Sequence, residues 1–166
     1  MWGIILQPLA FWIFLTALMA ENKRAPFDVP EGESEIIAGY FIEYSGMKFG
    51  LFYMGEWIEI VVISGLMTAM FLGGWSLPWI SDADIVGFLA GIFGPNLGNV
   101  FAMLIAVGVF MAKVLVLIFF QMLLRWSLPR FRYDQVMNLG WKILLPLSLA
   151  NVMVTGLVIL WLQGIS

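Results

Sequence analysis

Four long apolar segments constrain the fold of this chain more than any other feature. They cover residues 2–20, 46–72, 99–124 and 143–162. Each is long enough for a helix to cross the roughly 30 Å hydrocarbon core of a membrane, which takes about 20 residues. Backbone groups must be hydrogen-bonded inside lipid, and the ten-residue alternating segments typical of membrane barrels are missing from the sequence. We therefore predict an all-α integral membrane protein with about four transmembrane helices, forming a single transmembrane region over residues 1–166.

The first apolar segment resembles a signal peptide in length only. It has no basic n-region, and Ala20 is followed by acidic sequence rather than by a small-residue cleavage site. We therefore predict that residues 2–20 form a transmembrane helix of the mature protein. Pro8 and Pro146 lie inside the first and last predicted helices, where membrane helices tolerate proline, and we expect local kinks there.

The charges of the connecting segments predict the orientation. The connections 21–45 and 125–142 contain most of the lysines and arginines, whereas 73–98 contains Asp82 and Asp84 and no basic residue. Basic loops remain on the cytoplasmic side of a membrane. We therefore expect two inner loops, on the cytoplasmic side in a bacterium or the matrix side in a mitochondrion, and one outer loop at 73–98.

Composition excludes several classes of function. A net charge of −3 gives no basic surface for nucleic acid. The chain has no Cys and no His, which excludes structural zinc sites, iron–sulfur ligation and haem ligation by histidine. Any electron carrier must therefore belong to a partner.

Three charged residues lie deep within the predicted spans, whereas Lys48 lies near the start of the second span. Glu56 and Glu59 are three residues apart, near one face of the second helix, and Lys113 lies midway along the third. A charge at membrane depth costs on the order of a few kcal/mol, so such residues usually face a cavity, a partner or a proton path. Snorkelling to the interface is the alternative for the glutamates. For Lys113 we expect a buried carboxylate partner or a hydrated cavity.

The segment 21–50 holds six of the eleven acidic residues. Asp28 and Glu31 have the spacing of a capping box, which is a structural interpretation. Capping does not account for Glu33 and Glu35, which alternate with Glu31 closely enough to repel one another and to raise the pKa of at least one carboxyl. From residue chemistry alone, helix capping and proton handling both remain open.

Three motifs, in order along the chain, resemble one family. The first is ENKRAPFDVPEGESEIIAGYFIEYSGMKFGLFYMGEW from Glu21, and the second is FLGGW from Phe71. The third is RFRYDQVMNLGWKILLPLSL from Arg130. Lys113 precedes this motif, and Arg125 lies twelve residues after Lys113. They resemble the quinone-site membrane subunit of respiratory complex I, known as the H subunit in bacteria and as NADH dehydrogenase subunit 1 in mitochondria. The resemblance covers the second half of an eight-helix family fold, so the chain is expected to be a fragment or half of a split subunit.

The resemblance implies a subunit of a proton-translocating NADH:quinone oxidoreductase, a translocase of the bacterial or mitochondrial inner membrane. Such a subunit forms the membrane end of the quinone chamber and begins the acidic path that couples quinone reduction to proton pumping. Quinone is the substrate, and the chain binds no redox cofactor of its own, because FMN, NADH and the iron–sulfur clusters belong to partner subunits. The implied partners are hydrophilic iron–sulfur subunits, small membrane subunits, antiporter-like subunits, membrane lipid and, in a split subunit, a separate N-terminal half.

Position by position, three groups of residues acquire expected roles. By resemblance, the loop facing the quinone chamber contains Arg24, Asp28, Glu31, Glu33 and Glu35. The proton-coupling group contains Glu21, Glu43 and Glu56 by resemblance, and Lys113 because of its depth in the membrane. The second inner loop contributes Arg125, Arg132 and Asp134, for which a structural role is the alternative. Glu59 receives no role.

Two other functions remain as alternatives. The equivalent anchor of a membrane-bound hydrogenase or of a deazaflavin-linked dehydrogenase shares the PFD-x-PE and EYSG elements, although GESE, SGMKFGLF and RFRYDQ are more similar to the quinone enzymes. A free-standing proton channel or transporter is compatible with four helices and buried acids, but the sequence has no internal repeat to support it.

Overall fold

The computed structural model describes residues 2–23, 26–28, 43–78 and 80–165, and their regular elements are all helical. The helices are α1 (Gly3–Leu6), α2 (Pro8–Glu21), α3 (Met47–Phe71), α4 (Asp82–Phe93), α5 (Pro95–Ser127), α6 (Tyr133–Asn138) and α7 (Leu145–Ile165), with a π-helical segment at Leu139–Leu144. Helices α3 and α5, and the continuous helical stretch through α6 and α7, are long and apolar enough to cross a membrane, and α2 is a shorter apolar helix. The predicted all-α membrane fold is confirmed.

The described helices group into two units. The first contains Met1–Gln7 and Gly50–Trp126, and the second contains Pro8–Phe49 and Ser127–Ser166. In the second unit α2 packs against α7.

The first apolar segment is broken at Pro8 rather than kinked. Helix α1 ends at Leu6, Gln7 has φ −139° and ψ 68°, and α2 begins at Pro8. A proline ring disfavours the helical conformation at the residue before it, whereas its fixed φ suits the first position of a helix. The expectation of a kink was therefore wrong, because Pro8 separates two helices.

In the first unit α3 and α5 pack antiparallel. The buried residues of α3 follow a helical stripe at Ile60, Ile63, Ser64, Met67, Thr68 and Phe71. On α5, Val114, Leu117 and Gln121 form the matching buried stripe. The Nε2 of Gln121 donates to the Oγ of Ser64 at 3.0 Å, and this hydrogen bond fixes which turns of the two helices face each other.

The segment between α3 and α5 contains a helix where the sequence analysis placed only a loop. Helix α4 begins after Ser81, whose Oγ accepts a hydrogen bond from the backbone N–H of Asp84 at 3.4 Å. Gly94, with φ 84°, turns the chain back into α5. The backbones of α4 and α5 then approach so closely that a Cβ on Gly98 would lie 2.6 Å from the Cα of Ala90.

Helix α7 is preceded by a π-helical segment whose cause is Pro146. Proline has no N–H, and in a regular α-helix its ring would clash with the carbonyl of Lys142, four residues earlier. The N–H of Leu145 instead donates to the C=O of Gly140, five residues earlier. This wider turn accommodates the proline without ending the helical stretch.

Candidate functional site

Two segments of the second unit, about a hundred residues apart in sequence, meet in space. The Oδ2 of Asp28 lies 3.4 Å from the Nη2 of Arg130, forming an ion pair. The backbone N–H of Phe131 donates to the C=O of Pro26 at 3.0 Å. The rings of Phe27 and Phe131 pack with their centroids 5.5 Å apart. We call these five residues the loop clasp, because they join the first inner-loop motif to the third motif.

The loop clasp combines a charged contact with an apolar one. Phe27 and Asp28 are 6% and 8% exposed, whereas the Arg130 side chain is 43% exposed. Burial of the carboxylate lowers the local dielectric and strengthens its attraction to the guanidinium. The packed rings of Phe27 and Phe131 add the stabilising free energy that aromatic pairs typically contribute. The segment 26–28 is therefore held firmly against the chain that leads into α6.

The described residues include one of the five that the resemblance assigns to the quinone-chamber loop. Asp28 is buried in the loop clasp, whereas the positions of Arg24, Glu31, Glu33 and Glu35 lie outside the described residues. The capping box of Asp28 and Glu31 also stays a prediction. Arg130 was missed by the sequence reasoning: its charge is opposite to that of Asp28, but charge alone does not select one partner among several.

The residues predicted in the second inner loop occupy helix ends. Arg125 lies in the last turn of α5 and Asp134 in the first turn of α6, both exposed, where their charges complement the helix dipoles. Arg132 immediately precedes α6, and its backbone N–H donates to the Oε1 of Gln135 at 3.1 Å. These positions suit the structural alternative for this group.

The glutamates assigned to proton coupling differ in their surroundings. Glu21 is the last residue of α2 and Glu43 precedes α3, and both are exposed residues of the second unit. Glu56 belongs to the first unit and is half-buried on α3, one turn before the half-buried Glu59. The buried stripe of α3 begins at Ile60, so Glu56 and Glu59 lie in the N-terminal half of α3, before this stripe starts. The coupling role of these glutamates stays a prediction.

Among the described residues, Lys113 is held by backbone carbonyls, and not by the carboxylate that was one of the two expected partners. Its Nζ donates to the C=O groups of Leu72, Gly74 and Ser76 at 2.8, 2.9 and 2.6 Å. The same ammonium lies 4.6 Å from the centroid of the Trp2 ring, within the range of a cation–π interaction. We call these five residues the Lys113 cage. Carbonyls of a turn leave no signal in the sequence, which is why this partnership was missed.

The FLGGW motif supplies the turn that forms the Lys113 cage. Gly73 and Gly74 have φ values of 67° and 58°, a left-handed conformation that glycine adopts readily. The N–H of Gly74 donates back to the C=O of Thr68 at 2.9 Å. The indole N–H of Trp2 donates to the C=O of Ser76 at 3.3 Å. Two consecutive glycines thus turn the chain so that three carbonyls converge on one point.

Within the described ranges, no group of three or more acidic side chains is arranged to hold a metal ion. The polar contacts between distant segments in those ranges include the loop clasp in one unit and, in the other, the Lys113 cage and the bond between Ser64 and Gln121.

Comparison with known proteins supplies the family. The model of a family described as NADH dehydrogenase matches residues 1–156. The chain is 47% identical over 159 residues to an H subunit of the NADH-quinone oxidoreductase of Geobacter metallireducens, covering 96% of this chain and 41% of that protein. It is 43% identical to an H subunit of the NADH-quinone oxidoreductase of Cytophaga hutchinsonii, with 96% of this chain and 43% of that protein covered. It is 45% identical to an H subunit from Geobacter sulfurreducens, with 96% of this chain and 41% of that protein covered. The chain thus spans about two fifths of the length of these relatives. Because the family model matches most of the length of this chain, the chain belongs to the NADH dehydrogenase family.

Proposed function

We propose that this chain is part of the membrane subunit of a proton-translocating NADH:quinone oxidoreductase. In this proposal its inner loops form part of the quinone chamber, and its acidic residues begin the path that couples quinone reduction to proton pumping. The observation that carries the proposal is the loop clasp. It brings Pro26–Asp28 of the first motif against Arg130 and Phe131 of the third, which joins the two predicted inner loops.

The chemistry of quinone reduction fits such a junction. A quinone is a long apolar molecule with a polar headgroup, so its site should be an apolar channel that ends at polar groups near the membrane surface. NADH gives up two electrons and becomes NAD⁺, and the quinone takes two electrons and two protons and becomes a quinol. Carboxyl groups beside the headgroup can donate those protons. The redox cofactors, FMN and iron–sulfur clusters, belong in this proposal to partner subunits.

The proposed coupling path depends on charged side chains at membrane depth. Reduction of the quinone changes the charge in its chamber, and nearby carboxylates respond by changing their proton affinity. Glu21, Glu43 and Glu56 are the carboxylates assigned to this response. Lys113 takes part as a positive charge fixed in the membrane-spanning part of the chain.

Uncovered apolar surface supports assembly with other subunits and with lipid. None of the most apolar stretch of the helix running through α6 and α7 is buried within the chain, and little of α3 or α5 is. Apolar helix faces without contacts in the chain must be covered by other helices or by lipid tails. The proposed neighbours are the remaining part of the subunit, small membrane subunits and antiporter-like subunits, with hydrophilic iron–sulfur subunits on the side of the inner loops.

The proposal is tested by neutralising Glu56 in the assembled complex. Glu56→Gln keeps the size of the side chain and removes its charge, so we expect normal subunit content with reduced quinone reduction and reduced proton pumping. Both rates are measured in inverted membrane vesicles supplied with NADH and a quinone analogue. Glu59→Gln is the matched control, since Glu59 is also half-buried on α3 but has no assigned role.

Unchanged quinone reduction and pumping in Glu56→Gln would contradict the coupling role. Equal losses in the two variants would also contradict it, because the effect would then follow from placing an amide on this part of α3. Vesicles that contain the wild-type chain but reduce no quinone with NADH would overturn the proposed activity itself.

A further inference from the structure

The Lys113 cage matches the chemistry of a protonated amine. A lysine ammonium has three N–H donors and no acceptor. Its three hydrogen-bonding partners among the described residues are backbone carbonyls, which only accept, and the three distances are 2.8, 2.9 and 2.6 Å. Each carbonyl can therefore take one N–H, and every proton of the ammonium is used. A neutral amine would direct a lone pair at one of these carbonyls.

The surroundings of the Lys113 cage also favour positive charge. The carbonyls belong to the turn that follows the C-terminus of α3, where the helix dipole places partial negative charge. The Trp2 ring, 4.6 Å from the ammonium, presents the negative face of its π-system. Hydrogen bonds to a charged donor are about twice as strong as those between neutral groups. The cage thus replaces the water that an ammonium loses when it enters the membrane.

We propose that the carbonyls of Leu72, Gly74 and Ser76, together with the Trp2 ring, form a binding site for a primary alkylammonium ion. The side chain of Lys113 occupies this site from within the chain, and its binding anchors the turn after α3 to the middle of α5. Lys113 is a positioning residue in this account. The inference goes beyond the proposed function, since it depends only on contacts within the first unit.

The position of the Lys113 cage relative to the bond between Ser64 and Gln121 explains what the anchoring achieves. Leu72, immediately after α3, lies eight positions beyond Ser64, and Gln121 lies eight positions beyond Lys113 on α5. The two polar contacts therefore lie about 12 Å apart along one antiparallel interface. Two fixed points prevent α3 and α5 from sliding or rotating past each other, which apolar side chains alone do not prevent.

The Lys113 cage also fixes α1. Trp2 contacts the cage with its ring and donates its indole N–H to Ser76. The next residue, Gly3, packs so closely on the end of α3 that an added Cβ would lie 2.8 Å from the backbone oxygen of Met70. One ammonium group therefore holds the end of α3, the middle of α5 and the start of α1 together.

The test is chemical rescue of Lys113→Ala in the full membrane assembly, purified in mild detergent. The substitution removes three methylene groups and the ammonium, which together have the size and chemistry of propylammonium. Amide hydrogen–deuterium exchange of the turn at residues 72–78 is measured by mass spectrometry, because the N–H groups of Gly74 and Ser76 donate backbone hydrogen bonds to Thr68 and Gly73. We expect exchange of this turn to accelerate at least about tenfold, since hydrogen bonds to a charged group are lost. Propylammonium chloride should then restore slow exchange in a saturable manner.

Three controls separate this site from general effects of salt or stability. Propan-1-ol has nearly the same shape without the charge, and tetramethylammonium has the charge without N–H donors, so neither should restore slow exchange. Lys142→Ala removes an exposed lysine of the π-helical segment. This variant should leave exchange of the turn unchanged and should not respond to propylammonium.

Slow exchange in Lys113→Ala without any addition, or equal rescue by propan-1-ol, would overturn the proposal. Failure of propylammonium to slow the exchange of an accelerated turn would overturn it as well. If Lys113→Ala does not assemble, Lys113→Met takes its place, because methionine fills the space without the charge. Faster exchange of residues 72–78 in Lys113→Met supports the proposal, and unchanged exchange contradicts it.

Discussion

The loop clasp allows a quantitative prediction from its geometry. Removing one partner of a fully buried ion pair costs about 3–5 kcal/mol, whereas exposed pairs contribute about 0.2–1 kcal/mol. In the loop clasp the Asp28 carboxylate is 8% exposed and the Arg130 side chain 43% exposed. The pair is therefore intermediate, and solvent screening of the guanidinium brings our estimate for Arg130→Gln to about 1–2 kcal/mol.

The backbone hydrogen bond of the loop clasp provides the assay. The N–H of Phe131 donates to the C=O of Pro26 and exchanges with solvent when the clasp opens. A cost of about 1–2 kcal/mol corresponds to roughly 5- to 30-fold faster exchange of this amide. The variant Asp28→Asn combined with Arg130→Gln should exchange more slowly than Arg130→Gln alone, because the single substitution leaves a buried carboxylate without this cation.

Arg132→Gln is the matched control for the clasp experiment. Arg132 is exposed and also adjoins Phe131, so this substitution makes the same change of side chain next to Phe131 without touching the ion pair. Unchanged exchange of the Phe131 amide in Arg130→Gln would refute the reasoning. A double variant that exchanges faster than Arg130→Gln would also refute it, because the charges would then not be coupled through burial.

Two further predictions concern packing in the first unit. Gly98→Ala should lower the thermal stability of the assembly, because the new Cβ would lie 2.6 Å from the backbone of Ala90 in α4. Gly108→Ala is the control and should have little effect in the same melting experiment, because a Cβ added at Gly108 would meet open space. Equal melting temperatures for the two variants would contradict the close approach of α4 and α5. Gln121→Leu should destabilise the α3–α5 pair by about 0.6–1.7 kcal/mol, the range found for hydrogen bonds between membrane helices; a double-mutant cycle with Ser64→Ala measures this coupling, and zero coupling energy would show that the bond contributes nothing.

The fold class could be predicted from the sequence because lipid imposes one simple requirement. A long apolar segment must satisfy its own backbone hydrogen bonds, and a helix does so within the segment. Helix α4 was missed although its signals are present: Ser81 in the N-cap position, and Asp82 and Asp84 in the first turn, are typical of a helix start. The glycines on either side of this helix, Gly73, Gly74 and Gly94, mark only its ends.

The contacts of the candidate site could be predicted only in part. The first and third motifs were recognised, but the pairing of Asp28 with Arg130 depends on how two distant loops approach each other, and local sequence does not encode this. The depth of Lys113 predicted a polar partner, and among the described residues this partner is a set of backbone carbonyls rather than the carboxylate that was one of the two expectations. A turn with two left-handed glycines can direct several carbonyls at one cation, and no acidic residue is then needed.

Membership of an NADH:quinone oxidoreductase is tested by purifying the chain from its native membrane in mild detergent and identifying by mass spectrometry the subunits recovered with it. We expect iron–sulfur subunits, NADH-oxidising subunits and antiporter-like subunits in fixed ratio to this chain. Recovery with a nickel-bearing subunit would contradict it in favour of a hydrogenase anchor. Recovery of the chain alone, as a stable monomer or homo-oligomer, would contradict membership of any such complex.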